Sequence, residues 1–425
     1  MRKWSYNMVC MKLGRAELKI VVLTFLSIVA THSAREGWWM VKSEVHFDLN
    51  FDSTFLGTLD FTFLVMYSLG YYASGVIANR FGLVKVLAWS MVLATVSLWL
   101  VAICGMLGIT DKWVYLILWG MEGPSQGTIL TAAVSILGNW VDPGIRGQVM
   151  GIWGANSSVG NIYGQWVAAF TRQDLELGWE VVVVATSASL VVVAAMIYVS
   201  VEEAPPVSSL EQKLLENPEL ESQTGFFETW SIKGVPECAF CYGCIKMLNY
   251  AFFMWLPFYL RVQYQMNIMH ISILATLYDL GGVLGSIVLG YVSDRFVKKT
   301  PSVVLAMGSA VPLFLLFQVV TEETAWIFFG LVPAVGMLVG GSANMISVAV
   351  AAELAQDNSS KPKPTVIGIV NGTGALGAAC GQVLIGYLQT YSWSLVFYYM
   401  MLVSSVSVLV LLPEAYRVHR SVNCN

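Results

Sequence analysis

Runs of about 20 apolar residues recur along the whole chain, and each is long enough to cross ~30 Å of hydrocarbon as a helix rising about 1.5 Å per residue. About twelve such runs can be drawn: 20–41, 54–78, 83–107, 113–137, 147–170 and 179–201, then 235–260, 271–292, 301–321, 325–349, 365–388 and 393–412. A chain patterned in this way folds in lipid or not at all. Composition agrees, since only 12% of the 425 residues are charged and 56% are hydrophobic, against about 25% charged in an ordinary soluble domain. The mean hydropathy is +0.67. Disorder is excluded by the same figures. A net charge of −4 offers no basic field for nucleic acid.

One long polar stretch, from Glu202 to Lys233, is rich in Glu, Ser and Pro and stands near the middle of the chain. It divides the sequence into an N-terminal half (1–201), a linker (202–233) and a C-terminal half (234–425), each half with six spans. The first span follows Lys12, Arg15 and Lys19 as a signal peptide would, but it is too long for that and no small-residue cleavage site follows. Of the 23 Lys and Arg residues, seventeen fall in segments on the side of the N-terminus. Four (Lys42, Lys112, Arg172 and Arg261) fall on the opposite side. The positive-inside rule then places both termini and the linker in the cytosol.

The two halves echo each other. Gly75-Val76-Ile77-Ala78-Asn79-Arg80-Phe81 follows the second span, and Gly290-Tyr291-Val292-Ser293-Asp294-Arg295-Phe296 follows the eighth, 215 residues later. Gly151-Ile152, Gly160 and Gly164-Gln165 return at an offset of 217 as Gly368-Ile369, Gly377 and Gly381-Gln382. Six helices repeated in one orientation, with a G-x-x-x-[DN]-R loop after the second helix of each half, resemble the major facilitator superfamily. That resemblance implies an all-α membrane fold of twelve transmembrane helices in two pseudo-symmetric six-helix bundles. A midplane site then lies between bundles that rock against each other. It makes Asn79, Arg80, Asp294 and Arg295 gating residues.

Two cations remain inside spans, where a charge costs about 2.5–3.5 kcal/mol on insertion scales and is functional by default. Arg35 lies in the outer part of the first span and Lys246 near the middle of the seventh. The 215-residue offset carries Arg35 to Tyr250, one helical turn from Lys246 on the same face. Two such charges suit a dianion: Arg supplies a bidentate fork and Lys a mobile point charge. The competing reading pairs each with an intramembrane acid. Asp60, expected at the depth of Arg35, and Glu36, Glu122 and Asp279 are available for it. Glu36, Asp60 and Asp279 are the acids set aside for coupling or charge pairing.

Further runs resemble the sugar phosphate exchangers of the organophosphate:phosphate antiporter family, with most likeness to the third type in that group. They include Phe55-Leu56-Gly57-Thr58-Leu59-Asp60, Gly138-Asn139-Trp140, Ser158-Val159-Gly160-Asn161-Ile162, Lys246-x-x-Asn249-Tyr250, Trp255-Leu256-Pro257-Phe258-Tyr259, Asn344-Met345-Ile346-Ser347 and Asn371-Gly372-Thr373-Gly374. The resemblance runs from about Leu23 to Tyr399. It implies that Arg35 matches the family's first-helix arginine and Lys246 the exchangers' seventh-helix lysine. Four positions depart from the family. Glu36 replaces a lysine, Asn249 aligns with an arginine of bacterial relatives, Asn156 or Ser157 stands for a fifth-helix histidine, and Ile129-Leu130-Thr131 stands for Gly-Trp-Pro.

Three other patterns mislead. Cys238-x-x-Cys241-x-x-Cys244 has iron–sulfur-like spacing, but it lies in an apolar span with no fourth ligand nearby. Gly372-x-Gly374-x-x-Gly377 matches a dinucleotide fingerprint without its strand, and close helix packing explains it. His32, one turn before Arg35, reads as an interhelical hydrogen bond. No cofactor or metal site is expected.

The leading expectation is a secondary carrier for a phosphorylated sugar or similar small organic anion, acting by alternating access, with phosphate as a counter-ion to be tested. Its substrate residues are Arg35, Lys246, Asn249, Tyr250, Gln126, Asn156, Asn344 and Asn371. The alternatives are a proton-coupled organic anion exporter and a carrier-like receptor or accessory subunit that moves nothing. The partners expected are the anion and the bilayer, with an accessory membrane subunit left open. The family resemblance implies an endoplasmic reticulum or other endomembrane location.

Overall fold

The computed structural model describes residues 13–142, 145, 149–150, 152–203, 230–232, 234–293, 299–350 and 363–423. Among the described residues twelve helical segments follow in order, nine of them (all but α2, α4 and α5) long and apolar enough to cross a membrane: α1 Arg15–Asp48, α2 Ser53–Phe81, α3 Leu83–Met106, α4 Lys112–Trp140, α5 Asn156–Ala169, α6 Trp179–Ser200, α7 Val235–Tyr264, α8 Ile268–Ser293, α9 Thr300–Val319, α10 Ala325–Ser347, α11 Lys363–Leu388 and α12 Trp393–Asn423. Most of the proposed linker, and Asp294 and Arg295, lie outside the described residues, as does the side chain of Asn79. Arg80 is exposed, its guanidinium 5.5 Å from the Phe81 ring. The turn into α3 is made by Gly82 at φ +88°, a backbone conformation that residues with a Cβ rarely adopt.

The pseudo-symmetry legible in the sequence is also a symmetry of packing. Helix α1 packs on α5 and α6 as α7 packs on α11 and α12. The α2–α4 and α3–α6 pairs likewise return as α8–α10 and α9–α12. Between the halves, α2 meets α11, α8 meets α5, and α1 crosses α7. Small residues set the closest approaches. A Cβ on Gly123 or Gly127 of α4 would strike the α2 backbone at Phe63 or Tyr67, and one on Gly281 or Gly285 of α8 would strike α10 at Pro333 or Met337. In lipid, where burying apolar surface drives little helix association, such backbone contact is what packing has to offer. The G-x-G-x-x-G run belongs here, since Gly374 lies against the Tyr242 ring and Gly377 against Gly243.

Three spans differ from the sequence expectation. Helix α1 runs seven residues beyond Val41 because its polar end is paired rather than solvated. Lys42, expected in an outer loop, is fully buried and forms an ion pair with Asp60 of α2. Arg172 Nε lies 2.6 Å from Glu44 Oε2, and His46 Nδ1 donates to the Phe51 carbonyl oxygen at 2.5 Å. The fifth span is not continuous: a turn at Gly154 and Ala155 precedes α5, and a π-helical turn, Phe170–Asp174, follows it. In α10 and running just past its end, two π-helical segments, Gly336–Gly340 and Met345–Val350, flank a single turn in a glycine-rich run. Such turns concentrate at functional sites.

Side-chain contacts draw the loops of one end together. Lys112 Nζ lies 2.6 Å from Asp52 Oδ2, Gln389 donates to Ser53 Oγ, and Tyr264 donates to the Val320 carbonyl at 3.0 Å. The Asp52 carboxyl, half in solvent, sits below the usual carboxylate range: partial burial would raise it, but bonds from Lys112 and the Phe55 N–H outweigh that. The same end holds Glu44, Asp48, Asp111, Asp174, Glu176, Glu180, Glu322 and Glu323. Lys42 lies deeper. Besides Asp60 its ammonium reaches across to the other bundle, 3.7 Å from the Trp255 ring centroid and 3.4 Å from the Met254 carbonyl oxygen. Trp255 Nε1 in turn donates to Gln382 Oε1 at 3.1 Å.

Lys42→Met is expected to lower stability in detergent by about 3–5 kcal/mol, because it leaves Asp60 buried without its counter-charge. Lys42→Met combined with Asp60→Leu restores most of that loss, and thermal unfolding of the single and double variants checks it. Gly285→Ala is expected to cost about 1–3 kcal/mol by overpacking. Gly290→Ala, at which a Cβ meets nothing within 4 Å, shifts stability by about 0.5 kcal/mol or less in the same assay.

Candidate functional site

Arg35 on α1 and Lys246 on α7 stand at the crossing of the two halves, and each is surrounded by rings. The Arg35 guanidinium carbon is 5.5 Å from the Tyr67 ring centroid and 6.0 Å from that of Phe63, both on α2. The Tyr67 hydroxyl lies 3.1 Å from the Tyr71 hydroxyl. The Lys246 ammonium is 5.6 Å from the Tyr242 ring and 5.7 Å from the Tyr250 ring. Ring faces stabilise a cation. They do not cancel its charge.

Among the described residues neither cation has an ion-pair partner within 4 Å. The acids that threatened to neutralise them are engaged elsewhere. Asp60 does not reach Arg35 as expected, because it sits by Lys42, about two turns further along α1. Glu36 and Asp279 share one donor: Gln165 Nε2 of α5 lies 3.0 Å from Glu36 Oε1 and 2.9 Å from Asp279 Oδ2. Asn161 Nδ2 donates to Asp279 Oδ1 at 2.9 Å, and His32 Nδ1 donates to Asn161 Oδ1 at 2.9 Å. Thr276 of α8 donates to Gln165 Oε1 at 2.9 Å, closing a network that spans α1, α5 and α8. His32 is thus the interhelical hydrogen bond expected of it.

The fourth helix contributes a wall. Glu122 and Gln126, four residues apart and on one face, are both 1% exposed, and Gln126 Nε2 donates to Glu122 Oε1. Helix α4 brings them in because Gly123 and Gly127 let it lie directly on α2. With Arg35 and the rings of Trp39, Phe63 and Trp119 they line a narrow cavity of about 10 Å³, room for about one water.

Of the residues singled out in the sequence, Arg35, Lys246, Tyr250 and Gln126 come together. Asn249 is turned toward its own bundle, where its Oδ1 accepts from the Tyr278 hydroxyl at 2.8 Å. Asn156 is 4% exposed and its Nδ2 has no partner among the described residues. Asn344 is exposed and donates to Ser286 of α8 at 3.0 Å, and Asn371 reaches the Ser347 carbonyl at 3.4 Å. The sequence reading overlooked Lys42, Tyr67, Tyr71, Tyr242 and the amides Asn161 and Gln165. Gln165 did carry a signal, as a member of the repeated Gly-Gln pair whose second copy, Gln382, anchors Trp255.

Comparison with known proteins agrees with this architecture. The chain matches the Major Facilitator Superfamily over residues 24–362 and 271–423. Sugar phosphate exchanger 3 of Mus musculus is 30% identical over an alignment covering 93% of this chain and 92% of the relative. Its counterpart in Gallus gallus is 32% identical over 84% and 78%. Putative glycerol-3-phosphate transporter 2 of Arabidopsis thaliana is 29% identical over 92% and 85%. Among solved structures, the nucleoside transporter NupG superposes with a TM-score of 0.71, covering 94% of this chain and 99% of its own at 13% identity, a likeness of fold alone. These relatives are transporters and exchangers rather than enzymes. By profile, coverage and packing alike, this integral membrane protein belongs to the major facilitator superfamily and, within it, to the sugar phosphate exchangers.

Proposed function

We propose that this protein is a secondary carrier that binds a small phosphorylated organic anion, most simply a sugar phosphate, between its two bundles and moves it by alternating access in exchange for phosphate. One observation carries the reading. Each bundle contributes one intramembrane cation to a shared centre, and among the described residues neither is paired with an acid. A phosphate dianion supplies the charge that both require, with Arg35 as the fork and Lys246 as the point charge. Tyr250 and Gln126 are the neighbouring polar contacts. Asn156, Asn249, Asn344 and Asn371 are left for steps in which the bundles have moved, and Arg80 with Asn79, Asp294 and Arg295 for the cytosolic gate. The bundles are assigned to 1–201 and 234–425, with 202–233 as the cytosolic link between them. Both termini then face the cytosol, and the family resemblance favours an endomembrane.

Proteoliposome counterflow tests the site. Arg35→Gln and Lys246→Gln are each expected to weaken phosphate ester binding roughly thirtyfold or more, the equivalent of about 2 kcal/mol. Transport indifferent to both changes refutes the assignment.

A second reading is favoured by the Gln165 bridge. Two carboxylates from opposite bundles, Glu36 and Asp279, share one amide nitrogen, an arrangement that a bound proton would relieve and that bundle separation would break. Here the carrier couples to protons through that pair, and Asp60, committed to Lys42, takes no part. Uptake that follows an imposed pH gradient, ignores phosphate on the far side and loses its pH response in Asp279→Asn selects this reading over phosphate exchange.

A further inference from the structure

Past Arg35 and Lys246, on the side of the α1–α2 turn, the two helix faces that carry these cations close on each other rung by rung. Trp39, one turn beyond Arg35, stacks on Phe253 of α7 at 6.5 Å and meets Tyr250 edge-on at 6.5 Å. Lys42, two turns beyond Arg35 and on the same face, sets its ammonium 3.7 Å from the Trp255 ring centroid and 3.4 Å from the Met254 carbonyl oxygen. His46, one turn further, lays its ring against Phe258 at 5.5 Å. Helices α2 and α11 close the adjoining seam at Gly57 and Gly386, where a Cβ on either glycine would strike the opposite helix. Each of these contacts except that of Lys42 is made by rings or by bare backbone.

The Lys42 rung differs in kind. Among the described residues Lys42–Asp60 is the one ion pair with both side chains buried, at 0% and 1% exposure. Both partners belong to the N-terminal half, and the surface they press on belongs to the other. Asp60 takes the ammonium on Oδ2, while its Oδ1 has no partner among the described residues. A seam of rings alone resists parting, because parting wets every ring. An ion pair acts in the opposite sense: its burial is opposed by the hydration both ions give up, and an acceptor without a partner adds to that opposition. When the bundles separate, Lys42 and Asp60 stay together and regain water. The penalty of wetting Trp39, Phe253 and Phe258 is offset at the same place.

We propose that the Lys42–Asp60 pair is the release element of this gate, a polar pair set into an apolar seam so that the seam, once closed, can part again. The inference rests on the alternating access proposed above and makes Lys42 and Asp60 gating residues, separate from the anion ligands Arg35 and Lys246.

Thiol labelling follows parting without any substrate. Ser53 of α2 is 3% exposed and accepts a hydrogen bond from Gln389 of α11 at the same end. In a Ser53→Cys parent, the rate of reaction with a water-soluble maleimide, above that of the protein without this substitution, tracks how often the seam opens. Lys42→Met with Asp60→Leu, introduced into that parent, is expected to slow labelling roughly tenfold or more and to abolish counterflow, while the protein unfolds near the parent's temperature. Lys42→Gln with Asp60→Asn, uncharged but still able to take up water, is expected to label within about threefold of the parent and to keep transporting. An apolar pair that labels and transports like the parent, or a polar pair that locks the seam as firmly as the apolar one, overturns the proposal. Should the apolar pair fail to fold, the polar pair decides: labelling and counterflow that persist support the release role, and a locked seam refutes it. A parent that never labels has a seam that does not part, which refutes the gate together with alternating access. Phosphate counterflow that fails in the wild type while the labelling rates differ as expected counts against phosphate exchange alone.

Discussion

The ion pair between Lys42 and Asp60 decides what the centre of this protein can do. Lipid tolerates charge only in neutral company, and Asp60 is the α2 acid nearest in sequence to the rings that face Arg35. By holding Asp60, Lys42 leaves Arg35 without that acid as an internal counter-charge. The Gln165 bridge acts in the same way on Glu36 and Asp279, through a neutral amide instead of a cation. Both arrangements reach from one bundle to the other, so the groups that protect the central charge also report how the bundles sit.

Much of the fold was legible in the sequence, for a physical reason. Spans show as long apolar runs because hydrocarbon allows nothing else, and the repeat shows because two copies of one bundle must present the same small residues at the same contacts. What eluded the sequence was mostly the polar interior. Lys42 looked like the end of a span because a lone lysine usually marks one, and its burial depends on an acid 18 residues away. The break at Gly154 and the π-turns at α10 are equally invisible, since glycine is frequent in membrane helices generally and does not by itself mark an interruption.

The site was legible in its charges and obscure in its surroundings. Arg35 and Lys246 stood out because an intramembrane cation is costly wherever it lies. The tyrosines around them did not, since Tyr67, Tyr71 and Tyr242 read as ordinary apolar spacing until the helices are assembled. A helix has several faces and the sequence does not say which one meets the other bundle: Asn249 and Asn344 are engaged within their own bundle.

The acidic end of the molecule has a kinetic meaning. Nine carboxylates gather there, counting Asp52, against Lys112, Arg172 and Arg261, and the first two of these cations are already bound to Asp52 and Glu44. A dianion diffusing toward that face meets a repulsive field that reaches about 8 Å at physiological salt. Capture from that side is slower than from the other and quickens as salt is added, the reverse of ordinary electrostatic steering. The membrane face thus works as a weak rectifier of encounter rates, which leaves the equilibrium of transport untouched and biases how quickly each side is sampled.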